Sequence, residues 1–244
     1  MGVERHRCIV HNSSVDTVDQ PPTSSRDLPG ALRHELSRRL LVDIVRGDLP
    51  PDSPLRIMRL AARFGTSSTP IREALLELET LGIVEFVHNR GARVGPFGAQ
   101  ELEEVFELRR ILETEAARLA CGRVGRESLE QLKAVTEPLA HDCAGPDRIR
   151  QAMDADLRLH DLIASRCGNM RLAKEIRRYR ILVETVYQLV GGEGTIQREA
   201  MREHLEILDA LMRADAGASA DATARHIVST ARRTAAALFN RSRS

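Results

Sequence analysis

The spacing of apolar residues divides the chain into a series of helices interrupted once by a change of period. Leu32, Leu36, Leu40 and Ile44 recur at every fourth position between Ala31 and Arg46, which predicts an amphipathic helix ended by Gly47 and Pro50-Pro51. Ile57, Leu60, Ala61 and Phe64 stand at i, i+3, i+4 and i+7, so a second, short helix is expected to close where Gly65 permits a turn. Thr69 suits a helix cap and Pro70 a first helical position, where its missing N–H is not needed; Ile71, Ala74, Leu75 and Leu78 then form an inward face up to Gly82. After Gly82 the period drops to that of strands. Ile83 to Val87 and Ala92 to Val94 read as two β-runs around the tip His88-Asn89-Arg90-Gly91. Three helices followed by a hairpin predict a winged helix-turn-helix over residues 28–97.

Gly95-Pro96-Phe97-Gly98 marks the boundary to a second region, residues 98–240, in which every strong period is helical. Helices are expected near Ala99–Cys121, Glu127–Asp142, Asp147–Arg166, Met170–Val190, Thr195–Arg213 and Ala220–Phe239, separated by glycine-bearing breaks. With no strand followed by a glycine-rich loop, a nucleotide-binding α/β domain is not expected, and an antiparallel all-helical bundle is the simplest packing. Residues 1–27 carry Pro21-Pro22-Thr23-Ser24-Ser25 and no period, which predicts a disordered arm; His6 and His11 read there as tail residues. The fold class expected is mainly α.

Length and charge add bounds. The 244 residues have room for one small and one larger domain. The net charge is only +1, yet residues 28–97 hold ten basic against eight acidic side chains, whereas residues 98–244 hold twenty-three of each. A small excess suffices for nucleic acid if the arginines are grouped, because phosphate affinity counts local contacts. Cys8, Cys121, Cys143 and Cys167 lack C-x-x-C spacing, and no apolar run has the length of a signal segment or a membrane span. A cytoplasmic chain with no membrane partner is therefore expected.

Candidate chemistry falls at two places. In the helix-turn-helix the buried stripe turns Arg72 and the Ser67-Ser68-Thr69 end outward; with Arg59 and the wing tip His88-Asn89-Arg90-Gly91 they are candidates for contacts to double-stranded DNA. In the second region ionisable residues interrupt apolar stripes. Ile149, Met153, Asp156, His160, Ile163 and Cys167 form one inward series; Asp156 and His160, four apart, can offer two ligands to one metal. His204 sits within Met201, Leu208 and Leu211, and His226 at the edge of the last apolar run. Each histidine alone reads as a hydrogen-bonded core residue, but three imidazoles and a carboxylate on three helices make a ligand set for Zn, Ni, Mn or Fe. Arg109 stands in the stripe of Leu102, Val105, Leu112 and Ala116. It is either an internal partner of Glu113, one turn on, or a fork for a ligand carboxylate. Arg177-Arg178 and Arg232-Arg233 read as solvated faces.

The set Leu55, Leu60-Ala61, Phe64-Gly65, Ser67, Thr69-Pro70-Ile71-Arg72-Glu73-Ala74-Leu75, Leu78 and Gly82 resembles the winged helix-turn-helix of the GntR family of bacterial transcription regulators. It departs from the usual pattern at Ile57, Thr66 and Ser68, the last standing where the family has an arginine that looks like a major-groove contact. Asp156-Leu157-Arg158-Leu159-His160 leading to Gly168-Asn169, Glu203-His204 through Ala210, His226 in the last helix, and Arg109-Arg110-Ile111-Leu112-Glu113 resemble the helical FCD effector domain of the FadR-type branch. The resemblance implies a metal at Asp156, His160, His204 and His226, zinc first among the candidates, with a small organic acid completing its coordination beside Arg109. The function expected is a homodimeric, ligand-responsive regulator on a palindromic operator. A metal-dependent enzyme acting on a small carboxylate, and a constitutive DNA binder with a structural metal, are the alternatives.

Overall fold

The computed structural model describes residues 29–190 and 194–239. The N-terminal region is built from α1 (Pro29–Arg46), β1 (Pro54–Leu55), α2 (Ile57–Phe64), α3 (Ser68–Glu79), β2 (Val84–Val87) and β3 (Gly91–Val94). The wing is a three-stranded antiparallel sheet in the order β1-β3-β2. The expected hairpin pairs Val84 with Val94 and Val87 with Gly91, and the unexpected β1 sets Pro54 opposite Arg93 and Leu55 opposite Ala92. A two-residue strand has no period of its own; only its buried Leu55 marks it. The tip turns through Asn89 at φ 59° and Gly91 at φ 82°, the left-handed conformation that Asn and Gly tolerate best.

Leu36, Leu40, Leu41 and Ile44 of α1 pack with Leu60, Ile71, Leu75, Leu78 and Val94 into the winged core, while Leu32, expected inside, is 39% exposed. Gly65 caps α2 in the left-handed region, its N–H donating to the carbonyls of Ala61 and Ala62. The third helix starts earlier than expected. Ser67 is its N-cap, with no side-chain cap bond, and Ser68 its first residue, so Thr69 and Pro70 lie in the first turn. Proline is tolerated there because the first four N–H groups of a helix have no intrahelical partner.

The bundle comprises α4 (Ala99–Ala120), α5 (Arg126–His141), α6 (Pro146–Arg166), α7 (Met170–Arg178), α8 (Arg180–Val190), α9 (Gly194–Met212) and α10 (Ala216–Phe239). The last helix packs on α4 and α9, α5 on α9, and α6 on α4 and α9. Glu101 fixes the start of α4 by accepting the Gly98 N–H at 2.7 Å, and Asn169 caps α7 by accepting from the N–H groups of Arg171 and Leu172.

The helix expected over Met170–Val190 is two, broken at Tyr179 (φ −84°, ψ −2°). No glycine or proline marks the break; packing makes it. α7 lies on α4 and α6, whereas α8 turns to place Ile181, Leu182, Val186 and Tyr187 in one apolar cluster with Leu36 and Leu40 of α1. The winged region and the bundle thus share a core, with α8 as the connecting element. None of the described helices is long and apolar enough to cross a membrane. Cys121, Cys143 and Cys167 are unbridged. The expectations for residues 1–27, with His6, His11 and Cys8, concern residues outside those described.

Candidate functional site

Asp156 and His160 project from successive turns of α6, His204 from α9 and His226 from α10, and all four are buried. His226, expected at an edge, is 1% exposed because α10 lies between α4 and α9. The three Nε2 atoms face one another: His160 to His226 at 3.3 Å and His204 to His226 at 3.2 Å. Asp156 Oδ1 lies 3.3 Å from His204 Nε2, 3.7 Å from His160 Nε2 and 3.9 Å from His226 Nε2. One donor atom from each residue falls within 4.8 Å of the others. Nitrogens bound to one zinc-sized ion at ~2.0–2.1 Å stand roughly 3.0–3.4 Å apart, so the imidazole spacing fits a shared cation. The four residues could hold a metal ion.

The surrounding groups aim the rings. Glu113 Oε2 takes the Nδ1 side of His160, and Glu203 Oε2 takes Nδ1 of His226 at 2.8 Å. A carboxylate on Nδ1 leaves Nε2 free to point inward, the arrangement that orients a ligating histidine. Glu113 is in turn held by Arg109 Nε at 2.8 Å, and Glu203 by both terminal nitrogens of Arg233 at 2.9 and 2.8 Å. Arg233, expected on a solvated face, is therefore part of this support; it stands seven residues after His226, two turns along the same face. Glu203 and Glu113 reach histidines of other helices, a pairing that spacing along the chain cannot reveal.

Burial and charge pull these groups in opposite directions. Burial disfavours the ionised form of Glu113, but Arg109 and His160 outweigh it and hold the carboxyl down at about 2. Burial likewise opposes ionisation of Asp156, and His160 and His204 overcome it, so its acidity is strengthened. Burial lowers His204 despite Asp156, and His226 falls well below the usual range through burial, then His204 and His160. His160 moves upward, since Glu113 and Asp156 prevail over burial. Asp156 is thus poised as a carboxylate and His204 and His226 as neutral imidazoles, the forms that cation binding requires, whereas His160 has to release a proton to join them.

Among the described residues, Asp156 Oδ2, His204 Nδ1 and Arg109 Nη1 of this centre, and Arg233 Nε of its support, are buried without a hydrogen-bond partner. Arg109 makes the internal pair with Glu113 through Nε at 2.8 Å, and its Nη1 has no hydrogen-bond partner among the described residues. Arg109, Glu113, Asp156 and His160 line a cavity of about 40 Å³ whose rim carries Arg177 and Arg180. Arg177, read as solvated, pairs at that rim with Asp161 at 2.7 Å. Tyr187 of α8 brings its hydroxyl to 3.5 Å from Asp156 Oδ1.

In the winged region Arg59, Ser67, Thr69, Arg72, His88, Asn89, Arg90 and Gly91 are exposed, and Ser68 is half-buried with its hydroxyl donating to Met58 Sδ at 3.2 Å. The neighbouring arginines are engaged: Arg63 with Asp43 at 2.7 Å, and Arg93 with Glu85 at 2.7 Å and Asp52 at 2.9 Å. Arg59, Arg72 and Arg90 make no ion pair among the described residues, so α2, the start of α3 and the wing tip present unneutralised charge to solvent.

A winged helix-turn-helix joined to a helical bundle with a polar centre defines a class, the DNA-binding regulators that carry an effector domain. Residues 32–94 match the sequence model of bacterial regulatory proteins, gntR family, and residues 104–229, more than half of the chain, match that of the FCD domain. The chain belongs to the GntR family of bacterial transcription regulators, in its FCD-bearing branch. Similar proteins include a probable D-xylose utilization operon transcriptional repressor of Paenarthrobacter nicotinovorans, 29% identical over 84% of this chain and 89% of that protein. The transcriptional repressor GlaR of Escherichia coli is 27% identical over 78% of this chain and 90% of its own. Among solved structures, McbR/YncC of E. coli aligns with a TM-score of 0.62 at 22% identity, covering 86% of this chain and 98% of that one, a likeness of fold. These relatives are named as regulators and not as enzymes.

Proposed function

We propose that this regulator binds a palindromic operator as a cytoplasmic homodimer and that a small carboxylate bound at a metal in the bundle controls it. The observation that carries the reading is the convergence of three inward Nε2 atoms and Asp156 beside the unpartnered Nη1 of Arg109. Asp156, His160, His204 and His226 would hold a divalent transition metal, zinc first, with nickel, manganese or iron also suited to imidazole and carboxylate donors. Such an ion supplies a positive charge with coordination positions left for an anionic ligand.

The chain's own residues supply the rest. Glu113 and Glu203 orient His160 and His226, and Arg109, fixed by Glu113, offers its remaining donors to a carboxylate entering the cavity. This orphan donor favours an effector site over a purely structural metal, because a buried guanidinium N–H left unpaired costs free energy that a ligand oxygen would recover. In the winged region Arg59, Ser67, Ser68, Thr69 and Arg72 would meet the major groove and His88, Asn89, Arg90 and Gly91 the flanking backbone. Ser68, whose hydroxyl donates to Met58 Sδ, occupies the position where the family resemblance implies an arginine, so the operator should differ from the family's usual one. A second copy is needed because one recognition helix reads too few base pairs.

Elemental analysis with native mass spectrometry of the purified protein tests the reading directly. One divalent metal per chain, lost in H204A, is the expected result. A metal-free protein that gains none on incubation with zinc chloride would refute the metal centre.

A further inference from the structure

The rim of the metal cavity and the boundary between the two regions meet at one side chain. Glu184, on the first turns of α8, accepts from Arg180 Nε at 2.6 Å through Oε1 and meets His34 Nε2 of α1 at 3.3 Å through Oε2. Arg180 lines the metal cavity on one side and, with His34 and Glu77, the cleft between α1, α3 and α8 on the other. His34 also faces the recognition helix, its Nδ1 lying 3.8 Å from Glu77 Oε1. Glu77 is fixed to α1 by Ser37 Oγ at 2.7 Å and Arg33 Nε at 3.4 Å. A continuous series of charges therefore runs from the cavity rim through Arg180, Glu184 and His34 to Glu77 of α3.

The geometry points to Glu184 as the switch through which the cavity's occupant acts on the DNA-binding region: an anion that draws Arg180 inward leaves the Glu184 carboxylate wholly to His34 and tightens the hold of α8 on α1. The inference rests on the anion-binding reading of the cavity given above. Size supports it. A cavity of about 40 Å³ admits a carboxylate group or a few waters. Any larger acid must displace the rim, where, among the described residues, Arg177 pairs with Asp161 and Arg180 with Glu184. An entering carboxylate competes for those guanidinium groups with the same chemistry that now binds them.

The direction follows from charge division. Glu184 shares its negative charge between Arg180 and His34, and His34 shares its positive charge between Glu184 and Glu77. Hydrogen bonds to Glu184 and then Glu77 raise His34 to about 9, so it is a cation at neutral pH. Releasing Arg180 removes the competitor with the shorter contact, and the undivided carboxylate attracts the imidazolium more strongly. Because α1 packs on α3, and Arg38 Nη1 of α1 also donates to Gln188 Oε1 of α8 at 2.7 Å, a firmer α1–α8 contact favours one orientation of the recognition helix against the bundle. A ligand changes DNA affinity only by such a difference between two arrangements.

Hydrogen exchange of the full-length protein tests this without any effector. R180Q should mimic withdrawal of Arg180 and slow exchange in α1 and α3 by roughly two- to fivefold, the size of one partly exposed ion pair strengthened. Peptides of α5 and α9 serve as controls for intact folding. The slowing should vanish when R180Q is combined with E184Q, and equally with H34Q. Unchanged exchange of α1 and α3 in R180Q, or the same slowing in the R180Q/E184Q double variant, overturns the proposal. Citrate added to the zinc-loaded wild type forms the second arm. Binding heat with α1 and α3 slowed in wild type but not in E184Q supports the switch, and binding heat with α1 and α3 unmoved overturns it. Absence of any citrate response counts against the carboxylate reading of the cavity, while the R180Q cycle still decides the role of Glu184.

Discussion

The two regions handle charge in opposite ways. On the winged surface, Arg59, Arg72 and Arg90 are exposed and make no ion pair among the described residues, and the core beneath them is made mainly of aliphatic side chains with Ser37 as its buried polar member. In the bundle, besides its exposed surface ion pairs, a set of ionisable residues lies inside: Arg109, Glu113, Asp156, His160, His204 and His226 are each less than a tenth exposed and contact mainly one another. A surface cation is stabilised by water until a polyanion replaces that water, so leaving it unpaired costs nothing. A buried charge must be matched on the spot. Among the buried bundle atoms without a hydrogen-bond partner in the described residues, Asp156 Oδ2, His204 Nδ1 and Arg109 Nη1 cluster beside the converging imidazoles, and that clustering marks where an external ion or ligand is expected.

Removing one member of the buried set should have the largest effect. Glu113→Leu leaves Arg109 buried without its carboxylate and His160 without its support, which is expected to cost ~3–5 kcal/mol. For a protein of this size that lowers the melting temperature by roughly 10 °C. A calorimetric loss no larger than that of a typical surface substitution would erase the contrast between the regions. Chelation comes next: if the metal is bound at a hundredfold excess over its dissociation constant, EDTA should remove ~3 kcal/mol of stability. The accompanying fall in melting temperature should be absent in H204A, and a differential scan of both proteins with and without chelator decides it.

Arg72→Ala inverts the pattern, with ~1–3 kcal/mol lost from operator binding if it reads a base edge and the melting temperature nearly unchanged. A mobility-shift titration alongside a thermal melt separates the two; undiminished binding would show that Arg72 does not touch DNA. Glu203→Gln should weaken metal binding ~10–100-fold through loss of the orienting carboxylate on His226, measurable by competition with a chromogenic chelator.

The smallest effect concerns the seam between the regions. His34 is raised from 6.5 to about 9 by Glu184 and Glu77, with Arg33 and Arg180 also paired to those carboxylates. A raised pKa contributes stability that is complete below the unfolded value and disappears as pH rises through the folded one. The melting difference between wild type and H34Q should thus be full below pH 6.5 and close by about pH 9. Screening of the half-exposed ring keeps it to no more than about 1 kcal/mol. A difference independent of pH over that window would remove the ionic role of His34.

How far the chain announced all this depends on the range of the interaction. Helix-turn-helix spacing, the hairpin with Asn89 and Gly91 at its tip, and most bundle helices follow from periods and breakers lying within a few residues of one another. Asp156 and His160 were readable as a pair because one helical turn separates them. Leu32 on the surface, the two-residue β1 and the break at Tyr179 were not, since each is decided by what packs against it.

By itself the sequence determined which residues stood out: the histidines and Arg109 in apolar stripes, whose meaning it left open, and Thr69-Pro70-Ile71-Arg72 at a helix start. Tertiary structure alone decided who meets whom. It brought the Nε2 atoms of three helices within reach of one carboxylate, gave Glu113, Glu203 and Arg233 their orienting roles, and set Glu184 between the cavity rim and His34. The physical reason is that local periodicity fixes the direction a side chain takes from its own helix axis, whereas partnership across helices depends on packing angles and depth, which no single segment encodes.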